Sequence, residues 1–349
     1  MIEFSLIVPT YNRAGDLFRL LTNLSLQTKV PTEVILVDAS DSRATEVMVS
    51  EFANGFSYPI RYFHHSKGLT RQRNFGIAQA RYPVIGFSDD DCVFEPTFLE
   101  KILDAFERDA SATVGGVSGL VFEVDPSNIA SIDGFLASDP TGAAFTAHMQ
   151  QFVYQGAEGW KRRLRNRLER IVFMEAPVPG TFSPRRCRFF GLELPFEGER
   201  NVDFLRGVAF YRREVFDHVQ YSPFFEGYGF GEDVHFSLQV AKRWVLLGIG
   251  DAFGYHLHAP SGRPNLFRVG MMSTRNFFFI FKSYRKRTFL DRAAFWYFFT
   301  LNALLDLVFL LPRNPKSALR MFGGRTFGVL VLIKSSTRSD PIGTSSQPG

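Results

Sequence analysis

Short apolar runs that stop abruptly at polar or turn-forming residues recur through the first 125 residues of the chain. They lie at residues 4–8, 34–37, 60–63 and 83–87. Apolar residues recur at helical spacing between these runs, first at Leu17, Leu20, Leu21 and Leu24. Near-continuous apolar strands separated by helices are typical of a mostly parallel sheet that carries helices on both faces. We therefore predict an α/β fold, in which ligands bind beyond the carboxyl ends of the strands.

Composition narrows the classes of protein that remain. A chain of 349 residues that is 45% hydrophobic can bury a large core, which excludes a disordered or fibrous protein. Cys92 and Cys187 are too few for a disulfide framework or a zinc site, which favours a reducing compartment. The Lys/Arg-rich stretches follow residue 160 in a Phe-rich second half, which favours phosphate ligands or a lipid surface. We expect no nucleic-acid partner.

Acidic residues follow two of the predicted strands directly. Asp38 and Asp41 come after the second run, and Asp89, Asp90 and Asp91 come after the fourth. Because the carboxyl ends of parallel strands meet at one edge of a sheet, both groups are expected at that edge. Three consecutive carboxylates repel one another unless a cation or hydrogen-bond donors compensate, and oxygen ligands favour Mg²⁺ or Mn²⁺. The alternatives are a solvated acidic turn and, for Asp41, a simple turn former.

A basic turn before the third predicted helix supplies the cations that a phosphate ligand needs. Residues 67–74 contain Lys67, Gly68, Arg71 and Arg73. Glycine allows close approach to the backbone, and a helix N-terminus favours anions. The alternative is a basic helix start that is exposed to solvent.

Five short motifs together resemble the ordered motif series of the family 2 glycosyltransferases, which have the GT-A fold. They occupy residues 6–13, 37–40, 68–76, 87–91 and 231–233, and the resemblance extends over roughly residues 3–262. It implies that the first 125 residues form the nucleotide-sugar half of a catalytic domain and that residues 126–262 form the acceptor half.

The resemblance assigns roles on the donor side. It implies that Asp38 accepts a hydrogen bond from the nucleotide base, that Pro9 and Tyr11 line the base pocket, and that Arg71 or Arg73 faces the diphosphate. In the DxD motif it implies that Asp89 holds the ribose side and Asp91 holds a divalent metal, Mn or Mg. Asp90 lies between them in the same donor site.

A second acidic pair, Glu232 and Asp233, follows a glycine- and aromatic-rich loop at residues 224–231. In the family the residue that matches Asp233 is the catalytic base, and we place Glu232 and Trp244 on the acceptor side. An acceptor hydroxyl is a poor nucleophile, so a carboxylate within hydrogen-bond reach is needed to remove its proton. This predicts a single displacement with inversion at the anomeric carbon. The alternative is an ordinary acidic helix N-terminus.

Two histidines, His256 and His258, follow a predicted strand at residues 245–249. The resemblance implies that a histidine near this position completes the metal shell, and neutral imidazole suits Mn²⁺. Residues i and i+2 of a strand share a face, so one histidine can be the ligand and the other its neighbour. We favour His258 and leave His256 open.

The rest of the chain predicts contact with a membrane surface. Residues 161–170 carry six bases, which suits a basic membrane helix, a clamp for a diphosphate-linked lipid, or a solvated face. Residues 263–334 are expected to form a helical extension, and 335–349 a disordered tail. The apolar run at 293–311 is borderline for a bilayer span. Asn302 and Asp306 on one helical stripe favour a helix that lies in the interface or covers the catalytic domain.

These features predict an inverting, metal-dependent hexosyl- or deoxyhexosyltransferase that uses a nucleoside-diphosphate sugar and a glycan or lipid-linked acceptor. We expect it in surface polysaccharide or glycolipid biosynthesis, cytoplasmic and peripheral at the inner face of the cell membrane. One alternative is a nucleotidyltransferase or sugar-phosphate enzyme on a similar sheet. Another is a non-catalytic carbohydrate- or nucleotide-binding protein. Neither alternative requires an acceptor-side base at Asp233.

Overall fold

The computed structural model describes residues 2–124, 126–136, 145, 148–149, 182–183, 188–189, 196–225, 227–259, 264–283, 289–311 and 314–336. The chain divides into two compact units, one within residues 1–182 and 189–262 and the other within 183–188 and 263–349. The basic stretch at 161–170 and the tail from residue 337 lie outside the described residues.

The first unit begins with alternating strands and helices, as the apolar pattern predicts. In chain order these elements are β1 (Phe4–Thr10), α1 (Ala14–Ser25), β2 (Glu33–Asp38), α2 (Ala44–Phe52), β3 (Ile60–His64), α3 (Leu69–Gln79), β4 (Val84–Phe87), β5 (Cys92–Phe94), α4 (Phe98–Arg108), β6 (Val114–Glu123) and α5 (Ile129–Leu136). Further along the chain follow β7 (Phe182–Ser183), β8 (Arg188–Phe189), β9 (Glu199–Asn201), β10 (Ala209–Arg212), α6 (Glu232–Val240) and β11 (Val245–His256).

Nine of the described strands form one mixed sheet in the order β3-β2-β1-β4-β10-β6-β11-β5, with β9 paired to β11. Strands β3, β2, β1 and β4 run parallel to one another, and β6 runs parallel to β11. Strand β10 runs antiparallel between β4 and β6. Strands β5 and β9 pair antiparallel with β11. The predicted α/β architecture is confirmed, and the antiparallel strands β5, β9 and β10 give the sheet a more mixed character than the apolar pattern indicates. The carboxyl ends of β1, β2, β4, β6 and β11 share one edge.

Both faces of the sheet are buried, which explains the near-continuous apolar strands. In β1, Leu6 and Val8 point into a core with α1, α2 and α4, while Ile7 points into a second core on the other face. Helix α3 lies so close to this second face that a Cβ on Gly76 would approach the Ile7 side chain to 2.5 Å. Helices therefore cover the two faces, and the carboxyl edge of the strands is the place left for polar side chains.

We expect Gly119→Ala to destabilise the protein by about 1–3 kcal/mol through overpacking. Strand β11 shifts register between Ile249 and Phe253, opposite Gly119. A Cβ on Gly119 would approach the Ala252 carbonyl oxygen to 2.5 Å. A backbone atom cannot rotate away as a flexible side chain can. Gly15→Ala in α1 is the matched control, because a Cβ there meets nothing within 4 Å. Urea unfolding checks the difference, and equal stability of the two variants would contradict this account.

The second unit contains helices α7 (Leu266–Ser283), α8 (Phe289–Leu310) and α9 (Pro315–Ser336) among its described residues. The predicted helical extension is therefore confirmed, and its last helix continues two residues past 334. Rings of α7 and α8 pack together, with Phe281 and Phe295 buried at the centre. In the part of the chain that the structure describes, no helix combines the length and apolar character needed to cross a bilayer.

Candidate active site

The ends of β1 and β2 carry an exposed group that includes Tyr11. The Tyr11 hydroxyl donates to Asp41 (2.6 Å), and the Asn12 side-chain amide donates to the same carboxylate oxygen (2.9 Å). Asn12 has a φ of 54°, in the left-handed region that asparagine adopts more readily than most residues. The Lys67 ammonium lies 3.3 Å from the centre of the Tyr11 ring. Aromatic, amide and charged groups thus converge at this corner of the sheet.

Asp38 lies behind this group and is fully buried. One carboxylate oxygen accepts from the Ser40 backbone N–H (2.8 Å) and from its hydroxyl, and the other accepts from the Tyr62 hydroxyl (2.9 Å). Ser40 in turn accepts from the Asn12 backbone N–H (2.7 Å). In this structure Asp38 therefore holds the turn after β2 in place, while Asp41 faces solvent.

The three aspartates after β4 have three different environments. Asp89 has about a third of its side chain exposed, whereas Asp90 and Asp91 are buried. Asp90 accepts from the Thr10 hydroxyl (2.7 Å), and the Arg13 guanidinium bonds to Asp90 (2.8 Å) and Asp91 (3.3 Å). Arg13 therefore supplies the positive charge that adjacent buried carboxylates need.

The pKa values of the two buried aspartates, Asp90 and Asp91, are shifted in opposite directions from the ordinary value of an aspartate. Burial, followed by the charge of Asp91, raises the pKa of Asp90 to about 7. Burial also opposes ionisation of Asp91, but a hydrogen bond and charge from His256, with Arg13 and the Ala259 backbone N–H, hold its pKa below the ordinary value. Asp91 is thus the more strongly anionic member of this pair.

A cluster that can ligate a metal ion lies at the ends of β6 and β11. Glu123, His256 and His258 each offer a ligand atom within 4.8 Å of the others. His256 lies between two carboxylates, 3.0 Å from an Asp91 oxygen and 3.2 Å from a Glu123 oxygen, and His258 contacts Glu123. Burial disfavours the charged imidazole, but bonds to Asp91 and Glu123 raise the pKa of His256 to about 10. A divalent cation fits here, because the carboxylates require positive charge and both donor types suit Mn²⁺.

Helix α3 ties the glycine- and aromatic-rich loop to the donor half. The Leu69 backbone N–H donates to the Gly227 carbonyl (3.1 Å), and the Thr70 hydroxyl donates to the Phe225 carbonyl (3.3 Å). The Asn74 side chain both donates to the Tyr221 carbonyl (2.9 Å) and accepts from its backbone N–H (3.1 Å). The motif at residues 68–76 therefore positions the segment that leads into Glu232 and Asp233.

Arg73 joins the two acidic centres. Its guanidinium donates to Glu232 (2.7 Å) and to Asp89 (3.4 Å), and the side chain is only 1% exposed. The guanidinium carbon lies 5.2 Å from the centre of the Tyr221 ring. One buried cation thus contacts a carboxylate after β4 and a carboxylate at the start of α6.

The carboxylates at the start of α6 hold protons more tightly than usual. Burial, then the charge of Asp233, raises the pKa of Glu232 to about 8, against the lowering effect of Arg73. Burial also raises the pKa of Asp233, and Arg73 and Arg206 oppose this. One Asp233 oxygen accepts from the Val234 backbone N–H (2.7 Å). A partly exposed carboxylate with a raised pKa suits a group that accepts a proton.

Several predicted site residues therefore meet at the carboxyl edge: Pro9, Tyr11, Asp38, Asp89, Asp90, Asp91, Arg73, Glu232, Asp233, His256 and His258. Arg71 is exposed at the first turn of α3. Trp244 lies elsewhere. It follows α6 and packs on Gly115 near the start of β6. Helix α6 begins at Glu232 and is nine residues long, or about 13 Å, so it separates Trp244 from Glu232. The structure does not bring Trp244 to the acidic groups, because α6 runs away from that edge.

Sequence reasoning assigned no site role to Arg13 or Glu123. Glu123 is the last residue of β6, so the strand-end rule that applies to Asp38 and Asp89 applies to it once residues 114–123 are taken as a strand. Arg13 lies three residues after the end of β1 and immediately before α1, but a basic residue there predicts no partner by itself. The neighbouring acids become visible only when β1 and β4 are paired.

Comparison with known proteins gives relatives for part of the chain. An uncharacterized glycosyltransferase of Haemophilus influenzae is 34% identical over 106 residues, 30% of this chain and 34% of the relative. Abequosyltransferase RfbV of Salmonella typhimurium is 34% identical over 120 residues, 31% of this chain and 36% of the relative. The matched segment thus spans about a third of the length of these curated relatives.

A solved structure and a family model extend the likeness over more of the chain. The crystal structure of GalNAc-T7 with UDP, GalNAc and Mn²⁺ aligns with a TM-score of 0.53 at 13% identity, over 97% of this chain and 57% of that chain. It shows that the two proteins share the GT-A fold. The model of glycosyl transferase family 2 matches residues 5–219, which is more than half of the sequence. The chain therefore belongs to glycosyl transferase family 2.

Proposed function

We propose that this protein transfers a sugar from a nucleoside-diphosphate sugar to a hydroxyl group of a glycan or lipid-linked acceptor, with inversion at the anomeric carbon. The observation that carries this proposal is the link through Arg73, which contacts Asp89 and Glu232 from one buried position. Family membership supports the reaction class. The contacts of Arg73 support one site that contains both a donor-side carboxylate, Asp89, and an acceptor-side carboxylate, Glu232.

The donor nucleotide binds at the exposed ends of β1 and β2. The Tyr11 ring offers an aromatic surface, and Lys67 and Asn12 lie beside it. Asp38 shapes this pocket through Ser40, and Arg71, exposed at the first turn of α3, is the basic residue for the diphosphate.

A divalent ion, Mn or Mg, would be held by Asp91, Glu123 and His258, with His256 beside them. These four side chains form one connected group of carboxylates and imidazoles. When bound, such an ion neutralises the diphosphate and stabilises the charge that develops on the leaving nucleotide. His256 contacts both Asp91 and Glu123, so it orients the two carboxylates as well.

Asp233 acts as the base toward the acceptor hydroxyl. Arg73 and Arg206 favour its ionised form, which is the form that accepts a proton. Its bond from the Val234 backbone N–H fixes one oxygen and leaves the other for the acceptor. Glu232, turned toward Arg73, sets the position of the first turn of α6 rather than the proton transfer.

A panel of uridine, thymidine and guanosine diphosphate sugars tests the proposed function on the full chain. We expect release of nucleoside diphosphate from one donor class, loss of that release in EDTA, and recovery with Mn²⁺ or Mg²⁺. Transfer products should show the inverted anomeric configuration by NMR. A retained configuration would contradict the single displacement, and release of pyrophosphate instead of nucleoside diphosphate would indicate a nucleotidyltransferase.

We also propose that the reaction belongs to surface polysaccharide or glycolipid biosynthesis and takes place at the inner face of the cell membrane. The support is the character of the second unit, where bases greatly outnumber acids. Lipid-linked acceptors would be reached from such a surface. Transfer to a lipid-linked acceptor presented in vesicles, compared with a water-soluble analogue, distinguishes the two acceptor classes.

A further inference from the structure

The outward side of α9 is apolar, the reverse of the usual pattern for a surface helix. Leu319, Leu330 and Ile333 are 59%, 57% and 56% exposed, and Phe327 is 45% exposed. At 3.6 residues per turn, these positions fall on one side of the helix. A water-facing helix normally turns polar residues outward and buries its apolar stripe.

Tight packing against α7 prevents α9 from rotating about its axis to bury this apolar side. A Cβ on Gly324 would come within 2.0 Å of the Phe267 carbonyl oxygen, and one on Gly328 within 2.7 Å of the Thr274 Cβ. A Cβ on Gly270 of α7 would approach the Met321 carbonyl oxygen to 2.4 Å. Close backbone contact through small residues fixes which side of α9 faces its neighbour. This kind of packing is common between helices in a lipid environment.

The charge of the helical extension selects the kind of partner. Residues 264–336 contain twelve Lys and Arg but only two acidic residues, Asp291 and Asp306. Lys316 and Arg320 are exposed on α9 beside Leu319. A basic edge along an apolar face suits an anionic bilayer surface, where the apolar side chains enter the acyl boundary and the bases meet lipid phosphates. A second copy of the chain would bring its own excess of positive charge against this face.

We propose that the outward face of α9 binds the surface of an anionic phospholipid bilayer, with the helix lying in the interface. The face consists of Lys316, Leu319, Arg320, Phe327, Leu330 and Ile333. This inference rests on the proposed membrane location and deepens it. It needs no donor or acceptor, so a failure of vesicle binding would leave the proposed sugar transfer untouched.

Co-sedimentation of the full chain with vesicles tests it. We expect binding to phosphatidylcholine vesicles that contain about 30% phosphatidylglycerol, and much weaker binding to phosphatidylcholine alone. Leu330→Glu combined with Ile333→Glu should weaken binding to the anionic vesicles by about tenfold or more. Lys316→Gln combined with Arg320→Gln should weaken it by about 30-fold at low salt. The second pair changes only exposed polar positions, so the test stands if the first pair fails to fold.

Val47→Glu is the matched control, because Val47 is 47% exposed on α2 of the first unit and undergoes the same apolar-to-acidic change. Its vesicle binding should equal that of the wild type. The proposal is overturned if the wild type does not bind anionic vesicles, or if both α9 variants bind as well as it does. It is also overturned if Leu330→Glu combined with Ile333→Glu dissociates a dimer of the free protein and leaves vesicle binding unchanged.

Discussion

Asp233→Asn is expected to lower kcat by about a thousandfold, because a positioned general base contributes about 10²–10⁴ in rate. Asparagine keeps the shape of the side chain, and its carbonyl oxygen can still accept from the Val234 backbone N–H. It cannot accept the proton of an attacking hydroxyl. Steady-state transfer assays measure the loss, and calorimetric titration with the nucleoside diphosphate should show unchanged affinity.

Asp217→Asn controls for the loss of one negative charge, since Asp217 is exposed and lies outside the acidic groups of the site. Its kcat should match that of the wild type. If Asp233→Asn retains near-wild-type turnover, Asp233 is not the base. If it loses nucleotide affinity together with turnover, its role lies in donor binding and the inverting mechanism loses its main support.

Much of the carboxyl edge could be predicted from the sequence, because strand ends are local features. Apolar runs ending in Asp38 and in Asp89 to Asp91 mark the two strand ends directly, and β2 and β4 end where the pattern indicates. Strand direction is different, because it depends on the connection that precedes the strand. No clear sequence pattern therefore predicts the antiparallel direction of β10 or the three-residue strand β5.

The partners of charged side chains could not be predicted, because they come together only through tertiary packing. Arg73 lies 159 residues from Glu232 in sequence, and nothing local distinguishes it from the exposed Arg71. The acceptor-side role of Trp244 stays a prediction, and the structure places this residue beside Gly115. Nearness to Asp233 in sequence suggested nearness in space, but a helix leads the chain away from the site.

Measured above pH 8, where Glu232 is ionised, Arg73→Gln is expected to lower the free energy of unfolding by about 3–5 kcal/mol, because it leaves buried Glu232 without its cation. The substitution should also move the acidic limb of the pH profile for kcat/KM to higher pH. Arg73 and Arg206 favour the ionised form of Asp233, whereas Asp89 opposes it. Removing one cation therefore raises the pKa of Asp233, and a higher pH is then needed to ionise the base.

Adding Glu232→Gln to Arg73→Gln separates the electrostatic cause from simple loss of packing. The double variant buries no unpaired charge at this contact, so much of the lost stability should return. Arg73→Lys keeps the charge but lacks the planar fork that contacts Asp89 and Glu232 together, so we expect partial stability and reduced kcat. Arg43→Gln, which breaks an exposed pair with Glu46, should change neither stability nor kcat measurably.

Urea unfolding and pH–rate profiles of these variants decide whether Arg73 works through the carboxylates. If Arg73→Gln shifts no pH limb and the double variant is no more stable than the single one, Arg73 supports the fold by packing alone. If nucleotide affinity falls with unchanged stability, Arg73 instead contacts the diphosphate directly. Recovery in the double variant together with a shifted limb requires that one buried guanidinium holds donor-side and acceptor-side carboxylates in a single electrostatic unit.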